Sequence, residues 1–489
     1  MFTIKVIAAS PSIDWPKAVL GSCFCAFFSA GAIAALPIQK FQLANGAVVH
    51  LVESPAIAML DVQIDFDGGS RRDPPNKVGL ASLTAALLEK GVLAKNGKRD
   101  AGQPQGAQAP SGGSAARQAT SVGADEPALD ENALGEAWAD LGAQFGASAG
   151  SDRFSFALRT LTEPDLLAKA VALAARQIAE PAFPDDVWQR DKQKTIAGIK
   201  ESDTRPATLA RRAYSQAVYG GHPYGHEFTE AGVANIATAD MRAFYQATVV
   251  ACRARVNLVG AINRAQAEQI ATAMLARLPQ ASPKAPCSSL PALPPVAEVQ
   301  PLAEAVQKTI AFDAAQAQVL MGQPGYKRSD PAFFPLLVGN YILGGGGFVS
   351  RLMTEVREKR GLTYGVYSNF APGMHAGAFT VSLQTRPDQA KQALEVARQV
   401  VKDFVANGPL DAEVKAAKDN LTGGFALLID SNRKLLGNIS NIAWYDLPTN
   451  YLDTWTAQID KVTAQDVKAA MAAKLQPEKM VTVILGAKP

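Results

Sequence analysis

The feature that most constrains the fold is an internal repeat, in which the second half of the sequence follows the order of the first. The segment that begins at Asp240 matches the one that begins at Asp466, at a constant offset of 226 residues. The tetrapeptide at 162–165 matches the one at 385–388, at an offset of 223. Since a chain of 489 residues is also too long for one core, the repeat predicts two similar units.

Each half contains the same order of predicted elements: a strand pair, a helix, further strands, long helices and a closing strand. The predicted elements are Val48–Val52 with Leu60–Phe66, Lys308–Phe312 with Ala317–Gly322, the helices Asp165–Ala179 and Asp388–Ala406, and the closing strands Arg255–Gly260 and Met480–Gly486. Runs of strands mixed with runs of helices, without strict alternation, favour α+β units with an antiparallel-rich sheet.

Composition marks the boundaries of these units. Residues 278–303 contain seven prolines and predict a semi-rigid linker between an N-terminal unit, 36–277, and a C-terminal unit, 304–489. Residues 95–127 are rich in Gly, Ala, Gln and Ser and have almost no large apolar side chain, so they predict a disordered surface insertion.

The first 35 residues have the pattern of a secretory signal peptide. Lysines precede an apolar run at 18–35, which ends in the small-x-small pattern Ala32-Ile33-Ala34. Cleavage after Ala34 or Ala35 would give a periplasmic or secreted protein. A single membrane anchor is the alternative, which the short run and its Ser and Gly content disfavour. The long front end leaves the true start codon open.

The remaining composition is that of an ordinary globular protein, with 48% hydrophobic and 19% charged residues. The net charge of +3 is spread without basic blocks, so nothing points to nucleic acid. After removal of a signal peptide, Cys252 and Cys287 would remain. Two cysteines are too few for a disulfide scaffold, and the sequence leaves open whether they pair.

The stretch Gly344–Ser368 is the richest candidate for function. Four glycines allow positive φ angles and a close approach of the backbone to a neighbour. Phe348, Leu352 and Val356 then recur at helical spacing, which predicts an apolar helix face. Gly361 predicts a left-handed helix cap, and the residues that follow it predict a strand over 362–367.

Arg357 in the last helical turn and Tyr364 at the predicted strand start are seven residues apart. A guanidinium and a phenol placed there could converge on one carbonyl oxygen. Taken alone, an Arg near a helix end usually complements the helix dipole, and a strand Tyr usually packs. The glycines are not a phosphate-binding loop, because no Lys-Ser/Thr follows them.

Three stretches together resemble the insulinase/pitrilysin family of zinc peptidases: Gly69-Ser70-Arg71 through Ala81, the segment 221–225 (GHPYG), and the segment 350–368 (SRLMTEVREKRGLTYGVYS). The resemblance covers about 41–487. It implies two homologous α+β units that form a clam-like half of a peptidase chamber.

Active members of that family carry an inverted zinc motif, His-x-x-Glu-His, and a further Glu on a later helix. Two imidazoles at i and i+4 bind the metal, and the Glu between them acts as general base. At the matching positions this sequence has Ser82, Ala85 and Ala86, and Gly198 or a neighbour replaces the later Glu. Side chains ending in a methyl group or a hydrogen cannot bind zinc or activate water, so no metal is expected on this chain.

The four histidines offer no replacement site. His222 and His226 have the i, i+4 spacing, but Pro223 and Gly225 between them argue against a helix. His50 in a predicted strand, and His375 (in a predicted hairpin), are interpreted as ordinary surface or satisfied residues.

The resemblance also implies a role for Arg357 and Tyr364, which match the family's substrate-binding and oxyanion-stabilising pair. Loss of the zinc ligands with retention of this pair resembles the non-catalytic subunit of two-subunit members. This predicts a heteromeric metallopeptidase in which a zinc-bearing homologue is the partner, a small or unfolded peptide is the substrate, and no stable membrane span remains after signal removal. Two alternatives stay open: an inactive homologue with a structural or binding role, and a self-sufficient peptidase with non-standard ligands.

Overall fold

Two sheets, one from each half of the sequence, form the centre of the molecule. The computed structural model of the chain describes residues 37–94, 126–279 and 287–487. The strands are β1 Gln39–Gln42, β2 Val48–Glu53, β3 Met59–Phe66, β4 Gly91–Val92, β5 Leu129–Asp130, β6 Gln144–Ala149, β7 Phe154–Leu161, β8 Arg255–Gly260, β9 Val306–Ile310, β10 Ala317–Pro324, β11 Val366–Phe370, β12 Ala378–Thr385 and β13 Val481–Leu485.

Helices connect and cover the strands. They are α1 Leu80–Leu87, α2 Glu131–Asp140, α3 Pro164–Ala179, α4 Asp185–Ser202, α5 Pro206–Tyr219, α6 Glu230–Ala234, α7 Thr238–Thr248, α8 Arg264–Leu275, α9 Phe333–Asn340, α10 Ala390–Asn407, α11 Asp411–Gly423, α12 Asn432–Trp444, α13 Tyr451–Lys461 and α14 Ala464–Lys474.

The two sheets share one topology. Sheet 1 has the order β1-β2-β8-β3-β7-β6, and sheet 2 has the order β9-β13-β10-β12-β11. In each, the closing strand of the half, β8 or β13, lies between a parallel neighbour and an antiparallel neighbour. The other pairings within these sheets are antiparallel. The predicted α+β class with antiparallel-rich sheets is therefore confirmed.

Side-chain alternation along β3 shows why sheet 1 has two different faces. Leu60, Val62 and Ile64 are at most 1% exposed and belong to the core that includes α3 and α8. The alternate residues Asp61 and Asp65 point to the opposite face, since successive strand side chains alternate. Asp61 there binds Arg159 at 2.7 Å. One face of β3 is thus apolar, and the other carries its charged side chains.

Each half contributes a helix that packs on the sheet of the other half. Helix α5 of the first half packs on β10 and β13, and the hydroxyl of Tyr214 donates to the carbonyl of Phe379 at 2.8 Å. Helix α12 of the second half packs on β3 and β8 and places Leu435 and Ile439 against Val52. Because of this exchange, the described residues pack as one compact unit.

The segment Gly221–Gly225 joins the two halves. The Tyr224 hydroxyl donates to Asp152 Oδ1 at 2.6 Å and accepts from the backbone N–H of His375 at 3.2 Å. Arg71 Nε also donates to Asp152 Oδ1, at 2.9 Å. The carboxylate therefore ties loops of both halves together.

The described part of the proline-rich linker, 287–303, is attached to both halves. Cys252 and Cys287 form a disulfide bond, which settles the pairing that the sequence left open. Arg72 Nη1 donates to the carbonyl of Pro294 at 2.8 Å, and Glu298 forms an ion pair with Lys327 at 2.6 Å.

Two predicted segments lie largely outside the described residues. The predicted signal peptide, 1–35, lies outside them, as do residues 95–125 of the predicted insertion. The insertion's last two residues, Glu126 and Pro127, are described; Glu126 forms an ion pair with Arg277 at 2.7 Å. Within the described ranges, no helix has the length and apolar character needed to cross a membrane.

Candidate functional site

The glycine-rich stretch forms irregular turns rather than the regular helix that the spacing predicts. A π-helical turn at Tyr341–Gly345 is followed by a 3₁₀ turn at Gly347–Val349 and a second π-helical turn at Met353–Glu358. Leu352 and Val356 are buried as expected. Phe348 is not on their face: it is 62% exposed, because the 3₁₀ turn breaks the helical phase before it reaches the core. The prediction for Phe348 was wrong.

The glycines are used for a close backbone approach, as predicted. A Cβ at Gly344 would lie 2.5 Å from the backbone nitrogen of Ser368, so the first turn rests directly on strand β11. Gly361 has a φ of +61°, and its N–H donates to the carbonyl of Arg357 at 2.8 Å. The left-handed cap is confirmed, and it turns the chain toward β11.

Tyr364 lies in a bend before the strand and not in it. The strand begins at Val366, four residues later than predicted. The hydroxyl of Thr363 accepts from the N–H of Gly365 at 3.1 Å and donates to the carbonyl of Gln384 at 2.6 Å. This local hydrogen bonding competes with the strand ladder and directs the Tyr364 side chain outward, where it is 86% exposed.

The structure brings Arg357 and Tyr364 together. The guanidinium carbon of Arg357 lies 5.7 Å from the ring centre of Tyr364 and 4.8 Å from that of Phe348. Contacts of this length are cation–π interactions. The sequence interpretation missed Phe348 as part of the group; the signal that could have found it is its position between the last glycine and the helix.

Arg357 differs from the neighbouring basic residues in its ion pairing. Arg351 binds Glu413 at 2.6 Å, and Lys359 and Arg360 bind Glu355 at 2.6 and 2.7 Å. Among the residues at 37–94, 126–279 and 287–487, no carboxylate forms an ion pair with Arg357. Its N–H donors, together with the exposed Tyr364 hydroxyl, remain available for an external acceptor.

A cleft adjoins Tyr364. It has a volume of about 480 Å³ and lies between helix α5, which contributes Ala207 and Arg211, and sheet 2, which contributes Gln318 and Tyr367; Tyr364 also lines it. The cleft and the exposed donors together form a surface on which an extended chain can lie.

The positions that match the zinc motif do not form a metal site. Ser82 is half-buried, Ala85 is buried and Ala86 is exposed on α1. Gly198 is exposed on α4, and a Cβ built there meets no atom within 4 Å. A hydroxyl, two methyl groups and a hydrogen do not fit zinc. In the described part of the chain, no group of three His, Cys, Asp or Glu side chains could hold a metal ion.

Helix α1 is nevertheless held firmly at its first turn. Asp73, only 4% exposed, accepts from the N–H groups of Gly79 and Ala81 at 2.8 and 2.9 Å. Burial raises the pKa of Asp73 to about 6, and the N–H donors oppose that rise. The helix that matches the zinc motif is therefore held in place although it carries no metal ligands.

The histidines are more buried than the sequence suggested. His222 begins the 3₁₀ turn Pro223–Gly225, so His222 and His226 are not on a helix, as predicted. His50 lies in β2 and is 3% exposed, and His375 lies in the β11–β12 loop and is 8% exposed. Of the two alternatives, surface or satisfied residues, the structure excludes the surface position for both, because α12 packs on the face of the sheet that carries His50 and the junction of the halves encloses His375.

Comparisons with known proteins agree with this geometry. Residues 235–421 match the family model described as the peptidase M16 inactive domain. A protein of Streptomyces coelicolor described as an uncharacterized zinc protease is 34% identical over 171 residues, which cover 35% of this chain. In that alignment the chain spans only 37% of the relative's length. A Helicobacter pylori protein described as a non-peptidase homolog is 22% identical over 93% of this chain and 95% of its own length.

A solved structure extends the likeness to nearly the whole chain. The crystal structure of a peptidase M16 inactive domain from Pseudomonas fluorescens is 33% identical, with a TM-score of 0.79. The match covers 93% of this chain and 98% of that one. The chain with its two repeated sheets and altered zinc-motif helix belongs to the peptidase M16 (insulinase) family and resembles the inactive domains of that family.

Proposed function

We propose that this chain is the non-catalytic, substrate-binding subunit of a heteromeric zinc peptidase. The observation that carries the proposal is the imbalance between two helical segments. The one at Ser82–Ala86 has no metal-ligating side chain, while the one that carries Arg357 presents a guanidinium that forms no ion pair with any described residue, beside the exposed Tyr364 hydroxyl. A homologous partner would supply the zinc and the general base.

In this role Arg357 and Tyr364 bind the carbonyl oxygen of the peptide bond to be cleaved. A guanidinium offers several N–H donors in a fixed plane, and a phenol offers one O–H. Both stabilise negative charge as it develops on that oxygen. Neither group needs to gain or lose a proton for this, so both act as positioned donors throughout.

The substrate would be a small or unfolded peptide held in an extended form. Strands β6 and β11 are edge strands of their sheets, so no described strand pairs with the outer edge of either, and an added strand could pair there. Strand β6 carries small side chains at Gly146, Ala147 and Ser148, which leave room for the side chains of a bound peptide. Strand β11 follows directly after Tyr364.

The proposed compartment is the periplasm or the extracellular space. The disulfide bond between Cys252 and Cys287 supports it, because such bonds persist in oxidising compartments. The signal-peptide pattern in the first 35 residues supports it independently.

The test compares the chain alone with its complex with a zinc-bearing homologue. The isolated chain is expected to hydrolyse no peptide and to contain no stoichiometric zinc. In the complex, Tyr364→Phe is expected to lower kcat by about 10²–10³-fold, the usual cost of losing one oxyanion donor. Tyr367→Phe is the matched comparison: Tyr367 lines the same cleft and is also exposed, but it lies outside the Arg357 contact, so loss of its hydroxyl is expected to lower kcat far less.

Two outcomes would replace the proposal. If Tyr364→Phe and Tyr367→Phe leave turnover equally unchanged, the chain is a structural or binding homologue, as the non-peptidase description of the Helicobacter pylori relative also allows. Chelator-sensitive hydrolysis by the isolated chain, with one bound zinc, would show a self-sufficient peptidase with other ligands.

A further inference from the structure

Arg357 lacks the contact that usually fixes an arginine side chain. Arg351, in the turn before it, is held by a two-point contact with Glu413, at 2.8 and 2.6 Å. Arg357 has no such carboxylate among the described residues. A long side chain without a partner samples many rotamers, and its donors are then poorly aimed. Some other contact has to orient it if it binds a substrate.

The ring of Phe348 provides that contact. It lies 4.8 Å from the guanidinium carbon, nearer than the ring of Tyr364 at 5.7 Å. A ring attracts the guanidinium through its π face, and it accepts none of the strong hydrogen bonds that the N–H groups make in their own plane. A carboxylate would orient Arg357 equally well but would occupy the donors that a peptide carbonyl needs.

The turn that carries Phe348 is itself fixed. Gly347 has a φ of +63°, and Ser350, fully buried, donates both its N–H and its hydroxyl to the carbonyl of Gly347, at 3.0 and 2.7 Å. A Cβ at Gly346 would lie 2.8 Å from the carbonyl oxygen of Tyr341, so this turn packs tightly against the preceding one. Phe348 is nevertheless 62% exposed, so core packing does not account for a phenylalanine there.

We propose that Phe348 is a positioning residue: its ring holds the Arg357 guanidinium toward the substrate while leaving the N–H donors free. The proposal deepens the proposed function and rests on it for the effect on turnover. The contact between the two side chains is a property of the isolated chain and can be tested without a partner.

The first measurement is the side-chain Nε–Hε NMR signal of Arg357 in the isolated chain, assigned by its loss in Arg357→Lys. Aromatic rings shift nearby signals, so Phe348→Ala is expected to move this signal toward the position of an exposed arginine. Phe348→Tyr, which retains the ring, is expected to leave it in place. An unchanged signal in Phe348→Ala would overturn the proposal whatever the complex does.

The second measurement is turnover by the complex with the zinc-bearing homologue. Phe348→Ala is expected to lower kcat/KM roughly tenfold, mainly through kcat, in keeping with a cation–π contact in a closed site. Phe348→Tyr should restore it to within about twofold. Val349→Ala is the matched control, because Val349 is 74% exposed on the same turn and has no ring for a cation–π contact with Arg357.

The two proposals fail in different ways. If Arg357→Ala and Tyr364→Phe leave turnover unchanged, the proposed function is wrong. If those variants are impaired while Phe348→Ala behaves like Val349→Ala, only the role of Phe348 is wrong. Equal weakening of complex assembly by Phe348→Ala and Val349→Ala would likewise overturn it, by showing that the turn is a subunit contact.

Discussion

The two halves place a pair of side chains at the same two positions but use them differently. In the first half, Trp138 stands four residues before Gly142 and Phe145 three residues after it; in the second half, Arg357 and Tyr364 have the same spacing from Gly361. Both glycines have left-handed backbones, with φ of +58° and +61°. The two pairs therefore flank equivalent left-handed turns that connect a helical segment to an edge strand, although Phe145 already lies in β6 while Tyr364 precedes β11.

The chemistry of the two pairs is opposite. Trp138 and Phe145 stack with ring centres 5.2 Å apart, and Trp138 is 8% exposed, with its indole N–H donating to Gln177 at 2.8 Å. Arg357 and Tyr364 make a cation–π contact, and Tyr364 is 86% exposed. One position in the repeat thus serves the core in the first half and faces solvent in the second. The difference in burial separates the structural pair from the pair with a proposed function.

The largest expected effect is on stability in the first half. Trp138→Ala should lower the free energy of unfolding by about 3–5 kcal/mol, because it leaves a cavity and removes the donor to Gln177 Oε1. Arg357→Ala should change it by less than about 0.5 kcal/mol. Denaturant unfolding monitored by circular dichroism measures both. Equal losses would show that the two pairs do not differ in burial.

The two sheets also differ in a buried histidine, His50 of β2, which makes the free energy of unfolding depend on pH. Burial, with Lys40 and Arg255 nearby, lowers the pKa of His50 to about 4. The folded chain then binds this proton less readily than the unfolded chain does. The contribution of His50 to the free energy of unfolding is therefore complete above pH ~6.5 and is lost as pH falls toward 4. The loss amounts to about 3 kcal/mol for a shift of this size.

His50→Gln is expected to flatten the pH dependence of unfolding over that window. Lys308 stands at the equivalent position of β9 by strand register and is half-buried, so Lys308→Gln serves as the control with an unchanged profile. A profile that keeps its slope in His50→Gln would assign the acid sensitivity to another group; His222, whose pKa is also lowered by burial and by His375, would be examined next.

Converting the second pair into the first tests the comparison directly. Arg357→Trp reproduces the aromatic stack of the first half and should lower kcat/KM of the complex by about 10²-fold, equivalent to about 2.7 kcal/mol, without destabilising the chain. Arg360→Trp is the control, since the guanidinium of Arg360 is already used in an ion pair with Glu355 and has no proposed role in substrate binding. This substitution should change kcat/KM by less than about twofold. Full activity of Arg357→Trp would show that a ring is sufficient there.

The smallest effect concerns what the two halves share. A Cβ at Gly142 or Gly361 meets no atom within 4 Å, so alanine at either position is penalised only by the left-handed backbone. Each substitution should lower the free energy of unfolding by about 1 kcal/mol, and the two values should agree. Thermal unfolding of both variants checks this. A markedly larger loss at one site would mean that the two turns are not equivalent.

Much of the fold could be predicted because its signals are local. The strand predicted at Arg255–Gly260 has those bounds in the structure, and helix α3 begins one residue before its predicted start at Asp165. Hydrophobic alternation and an N-terminal proline fix such elements without reference to the rest of the chain.

The site was predicted less completely because its geometry is not local. Helical spacing placed Phe348 in the core, but the π-helical and 3₁₀ turns rotate it outward to Arg357. Thr363 delays the strand, and no periodicity reveals a hydroxyl that binds the carbonyl of Gln384. The disulfide of Cys252 and the burial of His375 depend on how the linker and the halves meet, which composition does not encode.

The exchange of α5 and α12 has a consequence for how such an assembly can move. Separating the halves would break the hydrogen bond from Tyr214 to the carbonyl of Phe379 and expose the leucines of α12. The two halves of one chain would therefore move apart only by partial unfolding. In the proposed complex, admission of a peptide is therefore expected to depend on rigid-body movement of one subunit relative to the other, and each chain would move as a single unit.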